Sequence, residues 1–156
     1  MKTILCIDDD PWVLDTLRQT LLPRGYRVLV TTSATAGPGL LNHEKIDLVL
    51  LDLNMPKKHG LDVYRELEAT AAVPVLFVTA CARSFLDGAE KFRKQYEKEL
   101  RAARTELLAK PFTLTQLYEK VESLIGPASP SEHPEESSDE PVPWFKRLLQ
   151  LRLKRD

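Results

Sequence analysis

The chain has 156 residues, of which 43% are hydrophobic and 29% are charged. This composition excludes a wholly disordered protein and provides enough apolar side chains for one core with some sequence to spare. The 22 lysines and arginines nearly balance the 23 aspartates and glutamates, which argues against a protein that coats nucleic acid through bulk positive charge.

Short apolar runs alternate with amphipathic segments from residue 1 to about residue 125. Continuous apolar runs predict strands that are buried on both faces, and apolar spacings of three and four residues predict helices. Asp10 followed by Pro11 is a typical helix start, and Gly25 is a typical left-handed helix end. The alternation predicts an α/β fold with a doubly wound, five-stranded parallel sheet. The predicted strands are 4–7, 26–30, 46–51, 75–78 and 106–109, and the regular helices are 11 to about 25, 61–69 and 114–125.

The connection between the second and third strands is irregular. It contains Gly37, Pro38 and Gly39 in succession. Both residue types disfavour a helix interior, so these residues should interrupt any helix there. We therefore predict a short or distorted second helix.

The cysteines and the first residues bear on the cellular compartment. Cys6 and Cys81 are too few for a disulfide framework or a four-ligand zinc site, and both lie in apolar runs that predict buried, reduced thiols. No stretch approaches the roughly 20 apolar residues that cross a bilayer. The chain also reaches Asp8 before a signal-peptide core could form. We expect a cytoplasmic protein.

The composition changes after residue 125. Residues 126–143 are rich in Pro, Ser, Glu and Asp, and they predict a disordered acidic linker. Residues 144–156 form a short basic, amphipathic segment with five lysines and arginines between Lys146 and Arg155. This tail is too short for a helix-turn-helix, so no direct DNA binding is expected. It could bind a partner groove, add a strand to another sheet, bind back onto the folded domain or contact a membrane surface.

Polar side chains follow several predicted strands. Asp8 and Asp9 follow the first strand, Asp52 the third, Thr79 the fourth and Lys110 the fifth. The carboxyl ends of parallel strands lie at one edge of a sheet, so these side chains should converge. Clustered carboxylates favour Mg²⁺, and a lysine and a threonine beside them suit a phosphoryl group.

This constellation resembles the CheY-like receiver domain of bacterial response regulators, over about residues 1–125. The resemblance implies that a two-component system uses the chain as a phosphoacceptor rather than as a turnover enzyme. The matching segments are ILCIDDDP at 4–11, DLVLLDLNMP at 47–56 with Gly60, PVLFVTA at 74–80 and KPF at 110–112.

The resemblance assigns roles to the acidic residues. Asp52 would take a phosphoryl group from a sensor histidine kinase or a phosphotransfer protein. Asp9, Asp52 and the main-chain carbonyl of Asn54 would bind Mg²⁺ directly, and Asp8 would bind it through water. The side chains of Asn54 and Cys81 occupy positions that set the lifetime of the phosphate in this family.

The resemblance also assigns residues that sense the phosphoryl group. Lys110 would pair with a phosphoryl oxygen, and its peptide bond to Pro111 is expected to be cis. Thr79 would turn its hydroxyl toward the phosphate, and the amide of Ala80 would assist.

Several nearby residues have simpler interpretations. Asp10 is interpreted as a helix cap only. Pro56 and Gly60 are ordinary turn formers, and His43 and His59 have no metal-like spacing and are interpreted as loop histidines.

A haloacid-dehalogenase-type phosphatase also uses an aspartate nucleophile and Mg²⁺. That family needs a second aspartate two residues on, as the acid for the leaving group. Here the position is Asn54, and an amide cannot serve as that acid. Steady hydrolysis of phosphate esters is therefore not expected.

Two features depart from the receiver pattern. Thr79 and Lys110 are roughly nine residues further apart than is usual, and family members commonly carry an aromatic residue where Leu107 stands. The added sequence predicts an extended fourth helix over 84–104 with a continuous apolar stripe, which is either a longer core helix or a surface for a partner or a second copy. The stripe consists of Phe85, Ala89, Phe92, Tyr96, Leu100, Ala103 and Leu107.

Two functional hypotheses follow. The first is a stand-alone receiver that is phosphorylated on Asp52 and signals by protein contact, through the extended helix, the fifth strand or the tail. The second is a binding module that keeps the fold and works through its helix and tail, with phosphorylation incidental. A homodimer is compatible with either hypothesis.

Overall fold

The computed structural model describes residues 1–80, 97–98 and 104–128. These residues form one parallel sheet of five strands in the order β2-β1-β3-β4-β5, with flanking helices, which confirms the predicted fold. The strands are β1 (Thr3–Ile7), β2 (Arg27–Thr31), β3 (Leu48–Asp52), β4 (Val75–Thr79) and β5 (Thr105–Ala109), and the described helices are α1 (Pro11–Leu21), α2 (Ala36–Leu40), α3 (Gly60–Thr70) and α4 (Leu114–Ile125).

Two apolar layers cover the two faces of the sheet. The three central strands, β1, β3 and β4, are buried along their whole length, as continuous apolar runs in a parallel sheet require. On one face, Leu17 of α1 and Val121 of α4 belong to a common core with side chains of β1. On the other face, Val63 and Leu67 of α3 pack with Leu5 and other strand residues. The carboxyl edge of the sheet, where the predicted site lies, therefore belongs to a sheet that is packed on both faces.

Side-chain caps define the helix starts. The Asp10 side chain accepts a hydrogen bond from the Trp12 amide at 2.9 Å, so its predicted role as a cap is confirmed. Thr113 and Gln116 form a reciprocal capping box at the start of α4. α1 ends at Leu21 and continues as one 3-10 turn to Gly25, whose φ of 84° is the predicted left-handed end.

The second helix is short, as predicted, but its glycines and proline do not interrupt it. α2 has five residues, and Gly37, Pro38 and Gly39 lie inside it. The reason is length: the amide that Pro38 lacks would have no partner in the first helical turn. Gly37 also lies against Ile7, where a Cβ atom would be 2.4 Å from the Ile7 Cδ1 atom.

The end of α4 is bound to the beginning of the chain. The Lys2 ammonium donates hydrogen bonds to the carbonyl oxygens of Ile125 and, at 2.8 Å, Pro127. The buried Tyr26 hydroxyl donates to the Gly126 carbonyl at 3.4 Å. These contacts, which we call the exit clamp, lie at the edge of the sheet where β1 and β2 begin.

Some predictions fall outside the described residues. They concern Cys81, most of the linker and the tail at 144–156. Of the extended helix predicted over 84–104, the structure describes Glu97 and Lys98, which are helical, and Arg104, which lies in a turn. Cys6 is buried and not in a disulfide, as predicted. Within the part of the chain that the structure describes, no helix is long and apolar enough to cross a membrane.

Candidate functional site

Three carboxylates converge at the carboxyl edge of the sheet. Asp8 and Asp9 follow β1, and Asp52 is the last residue of β3, the neighbouring strand. One oxygen atom from each carboxylate lies within 4.8 Å of the other two. Asp8 and Asp52 are 3% and 6% exposed, whereas Asp9 is exposed. The predicted convergence is confirmed, and the cluster is open to solvent on the Asp9 side.

A buried lysine completes the cluster. The Lys110 ammonium lies 2.9 Å from a carboxylate oxygen of Asp8, and both side chains are less than a tenth exposed. The Lys110 amide donates to the Thr79 carbonyl at 2.7 Å, which fixes the end of β5 against the end of β4. The peptide bond between Lys110 and Pro111 is cis, as the resemblance implies.

Burial outweighs the lysine in setting the protonation of the carboxyl groups. Burial raises the pKa of Asp52 to about 6, with smaller contributions from the negative charges of Asp8 and Asp9, while Lys110 opposes the rise. Burial also raises the pKa of Asp8, despite its contact with Lys110. Three nearby carboxylates with one lysine leave an excess of negative charge at neutral pH, which a cation would offset.

The donor set fits Mg²⁺. Its side-chain ligands are carboxylate oxygens, which this hard cation prefers over nitrogen or sulfur. Magnesium also retains water ligands, and the exposed Asp9 side gives access to water. The cluster is typical of the Mg²⁺ site of receiver domains.

Asn54 connects the end of β3 with the end of β4. Its amide nitrogen donates to an Asp52 carboxylate oxygen at 3.3 Å, and its side-chain amide donates to the Thr79 hydroxyl at 3.4 Å. Thr79 is fully buried, while Asn54 and Ala80 are exposed at the rim. Leu107 lies away from this edge, beside Phe77 in the β4–β5 register, where it packs against the α3 side of the sheet.

Two residues near the site, Gly60 and His59, have structural roles that the sequence interpretation did not assign to them. Gly60 is not an ordinary turn former, because a Cβ atom there would lie 2.3 Å from the Asp52 carbonyl oxygen. His59 is the cap of α3, and its Nδ1 atom accepts from the Leu61 amide at 3.2 Å. In the sequence, both residues precede the apolar spacing of α3, and this position is a signal for a helix start. Histidine is not among the favoured capping residues, so the capping role of His59 was not predicted.

Residues 4–122 match the family described as Response regulator receiver domain. The chain belongs to this family. The receiver is a phosphoacceptor module of two-component signalling rather than a catalytic enzyme, and it implies a histidine kinase as a partner. The Asp8, Asp9 and Asp52 cluster resembles the phosphorylation site of the family.

Curated relatives extend beyond the receiver. The chain is 32% identical over 133 residues to Response regulator MprA of Mycobacterium sp. (strain KMS), which covers 85% of this chain and 54% of that protein. It is 39% identical over 80 residues to Transcriptional regulatory protein CpxR of Escherichia coli (strain K12), covering 51% of this chain and 34% of that protein. The chain thus spans about half, or less, of the length of these curated relatives.

Solved structures match the receiver along its length. A response regulator receiver protein from Burkholderia phymatum has a TM-score of 0.66 at 29% identity, covering 84% of this chain and all (100%) of that chain. The HemR receiver domain from Leptospira biflexa has a TM-score of 0.66 at 30% identity, covering 84% and 99% of the two chains. The chemotaxis protein CheY4 of Vibrio cholerae, at 22% identity and a TM-score of 0.62 over 80% and 98% of the two chains, shares the fold.

Proposed function

We propose that this chain accepts a phosphoryl group on Asp52 from a sensor histidine kinase or a phosphotransfer protein, with Mg²⁺, and then signals by protein contact in the cytoplasm. The observation that carries the proposal is the convergence of the Asp8, Asp9 and Asp52 carboxylates beside the Lys110 ammonium. This arrangement supplies a nucleophile, a cation site and a positive charge at one edge of the sheet.

The chemistry begins with an ionised Asp52. Its pKa of about 6 leaves the carboxylate mostly charged at neutral pH. An Asp52 oxygen forms a bond to the phosphorus of a phosphohistidine as the bond from phosphorus to the histidine nitrogen breaks, and the imidazole leaves with the electron pair. The product on this chain is an acyl phosphate.

Four groups would hold the ion at this edge. Asp9, Asp52 and the main-chain carbonyl of Asn54 would bind Mg²⁺ directly, and Asp8 would bind it through water. Mg²⁺ supplies charge neutralisation for the phosphoryl oxygens during transfer.

The remaining groups would bind the phosphoryl oxygens. Lys110 is held in place by Asp8, from where its ammonium could pair with a phosphoryl oxygen. The Thr79 hydroxyl would exchange its contact with Asn54 for the phosphate, assisted by the Ala80 amide. Pro111 directly follows Lys110 and Leu107 precedes it by three residues, and these are the two positions at which the domain would respond to a change at the site. Asn54 and Cys81 would set the phosphate lifetime.

Intact mass spectrometry after incubation with acetyl phosphate and Mg²⁺ tests the proposal. The wild-type chain should gain one phosphoryl group, and Asp52→Asn should gain none. Asp62→Asn is the matched control, because Asp62 is an exposed acid on α3 outside the cluster, and it should be labelled like the wild type. No label on the wild type, or equal labelling of Asp52→Asn, would contradict the proposal.

A second candidate function is a binding module that acts through the 84–104 segment and the tail, either with a partner protein or with a second copy. Leu107 favours it, because this half-buried aliphatic side chain packs inward and offers no aromatic ring to couple the site to the surface. Deletion of residues 144–156 followed by a pull-down tests this candidate. Binding that depends on the tail but is equal for wild type and Asp52→Asn would support it.

A further inference from the structure

The start of α3 is built around an imidazole cap. The His59 backbone is extended, with φ −66° and ψ 139°, and its Nδ1 atom accepts the Leu61 amide at 3.2 Å. The His59 carbonyl then accepts hydrogen bonds from Asp62 and Val63, at 3.0 and 3.3 Å, which begin the helix. His59 is half buried. The residue therefore determines where the first turn of α3 lies.

That first turn is packed directly on the main chain of the phosphoacceptor strand. Gly60 is buried, and a Cβ atom there would lie 2.3 Å from the Asp52 carbonyl oxygen and 2.7 Å from the Leu53 Cα atom. The Gly60 amide donates to the Leu53 carbonyl at 3.0 Å. Because these neighbours are backbone atoms, a shift of the first turn of α3 toward β3 would push on the backbone at Asp52 and Leu53, and a shift away would break the hydrogen bond from Gly60 to Leu53.

The loop between β3 and α3 is thus closed at both ends. At its beginning, the Asn54 amide donates to the Asp52 carboxylate. At its end, Gly60 returns to Leu53 through its amide. The carbonyl of Asn54, which our proposed function assigns to Mg²⁺, lies within this closed loop.

We propose that His59 is a positioning residue of the phosphoryl site: by capping α3 through Nδ1, it holds Gly60 against Asp52 and Leu53 and so fixes the loop that carries the Asn54 carbonyl. This inference rests on the proposed function, because its main readout is Mg²⁺ affinity. Residues that orient metal ligands without touching the metal commonly change affinity by an order of magnitude.

Three variants of the full chain test the inference. His59→Ala removes the cap, His59→Asn keeps a side-chain oxygen that can cap the helix, and Tyr26→Phe removes a hydrogen bond of the exit clamp at the opposite edge of the sheet. Mg²⁺ affinity is measured by titration calorimetry. Protection of the Gly60 amide from hydrogen exchange is measured without metal.

We expect His59→Ala to weaken Mg²⁺ binding about tenfold and to lose protection of the Gly60 amide. His59→Asn should restore both, to within about twofold of the wild type in affinity. Tyr26→Phe should lower stability and leave Mg²⁺ affinity unchanged.

Two results would overturn the inference, and they are distinguishable. Equal Mg²⁺ affinity of wild type and His59→Ala, with the wild type still phosphorylated, would remove the role of His59 and leave the proposed function standing. A wild type that neither binds Mg²⁺ nor accepts phosphate would overturn both.

Discussion

Asp52 is a charged group held where charge is unfavourable. It is 6% exposed, and its neighbours include two further carboxylates. A shift of its pKa from 3.8 to about 6 corresponds to about 3 kcal/mol of differential stability between its two protonation states. The strand that supplies the nucleophile is therefore strained electrostatically until a cation or a proton arrives.

Replacement of Asp52 by asparagine should stabilise the metal-free protein. Because the folded-state pKa lies above the unfolded one, the folded chain binds more protons between about pH 4 and 6, and the wild-type free energy of unfolding falls as pH rises through this window. We expect Asp52→Asn to be more stable than wild type by about 1–3 kcal/mol near pH 8 in chelator, with little difference near pH 4. Urea unfolding at the two pH values measures this, and a variant less stable than wild type near pH 8 would contradict it.

Two lysine–carboxylate pairs, the buried Lys110–Asp8 pair and the more exposed Lys120–Glu106 pair, should differ sharply in energy. Lys110→Met leaves Asp8 buried without its cation, which should cost about 3 kcal/mol, and adding Asp8→Asn should recover much of the loss. Lys120→Met is the matched control. It breaks the pair with Glu106, whose side chains are 39% and 38% exposed, and should cost less than about 1 kcal/mol. Chemical denaturation of the wild type and these three variants measures the contrast, and equal losses at both lysines would refute it.

At the scale of elements, the sequence predicted correctly which segments are strands, but it predicted few of the specific contacts between elements. The apolar runs of β1, β3 and β4 predicted buried parallel strands, because burial on both faces leaves no room for polar alternation. The convergence of Asp8, Asp9 and Asp52 followed from that topology alone. The packing of Gly60 on Asp52 did not, since a helix start and a turn need the same residue types. The role of His59 was likewise hidden, because a histidine carries no capping signal without its hydrogen-bond partner.

Substitution by alanine at two helical glycines, Gly60 and Gly39, should change the stability of the protein in opposite directions. Gly60→Ala forces a methyl group onto the backbone of Asp52 and Leu53. This substitution should lower the free energy of unfolding by about 2 kcal/mol. Gly39→Ala, in α2, meets no atom within 4 Å and should stabilise by about 0.5 kcal/mol through the unfolded state. Thermal unfolding without metal compares them. A neutral Gly60→Ala would show that the start of α3 can move away from β3 freely.

At the scale of the whole molecule, the exit clamp ties the end of α4 to the beginning of the chain. A chain ending at Ala128 keeps the contacts of Lys2 and Tyr26 with residues 125–127. A chain ending at Leu124 loses them together with Ile125, which packs against the core. The first truncation should unfold like the full chain, and the second should lose about 2–4 kcal/mol. Urea denaturation distinguishes the two, and equal stability would mean that the clamp contributes nothing.

The exit clamp also orders events during synthesis. Lys2 leaves the ribosome well before its partner Ile125, which lies 123 positions later in the chain. Between them, β1 must acquire β2 on one side and β3 on the other before its pairing is complete. Contacts of such long sequence separation form late and slowly. The strand pairing of β1 needs only residues up to 52, whereas the exit clamp and the cover that α4 gives to one face of β1 can form only when nearly the whole receiver has been made.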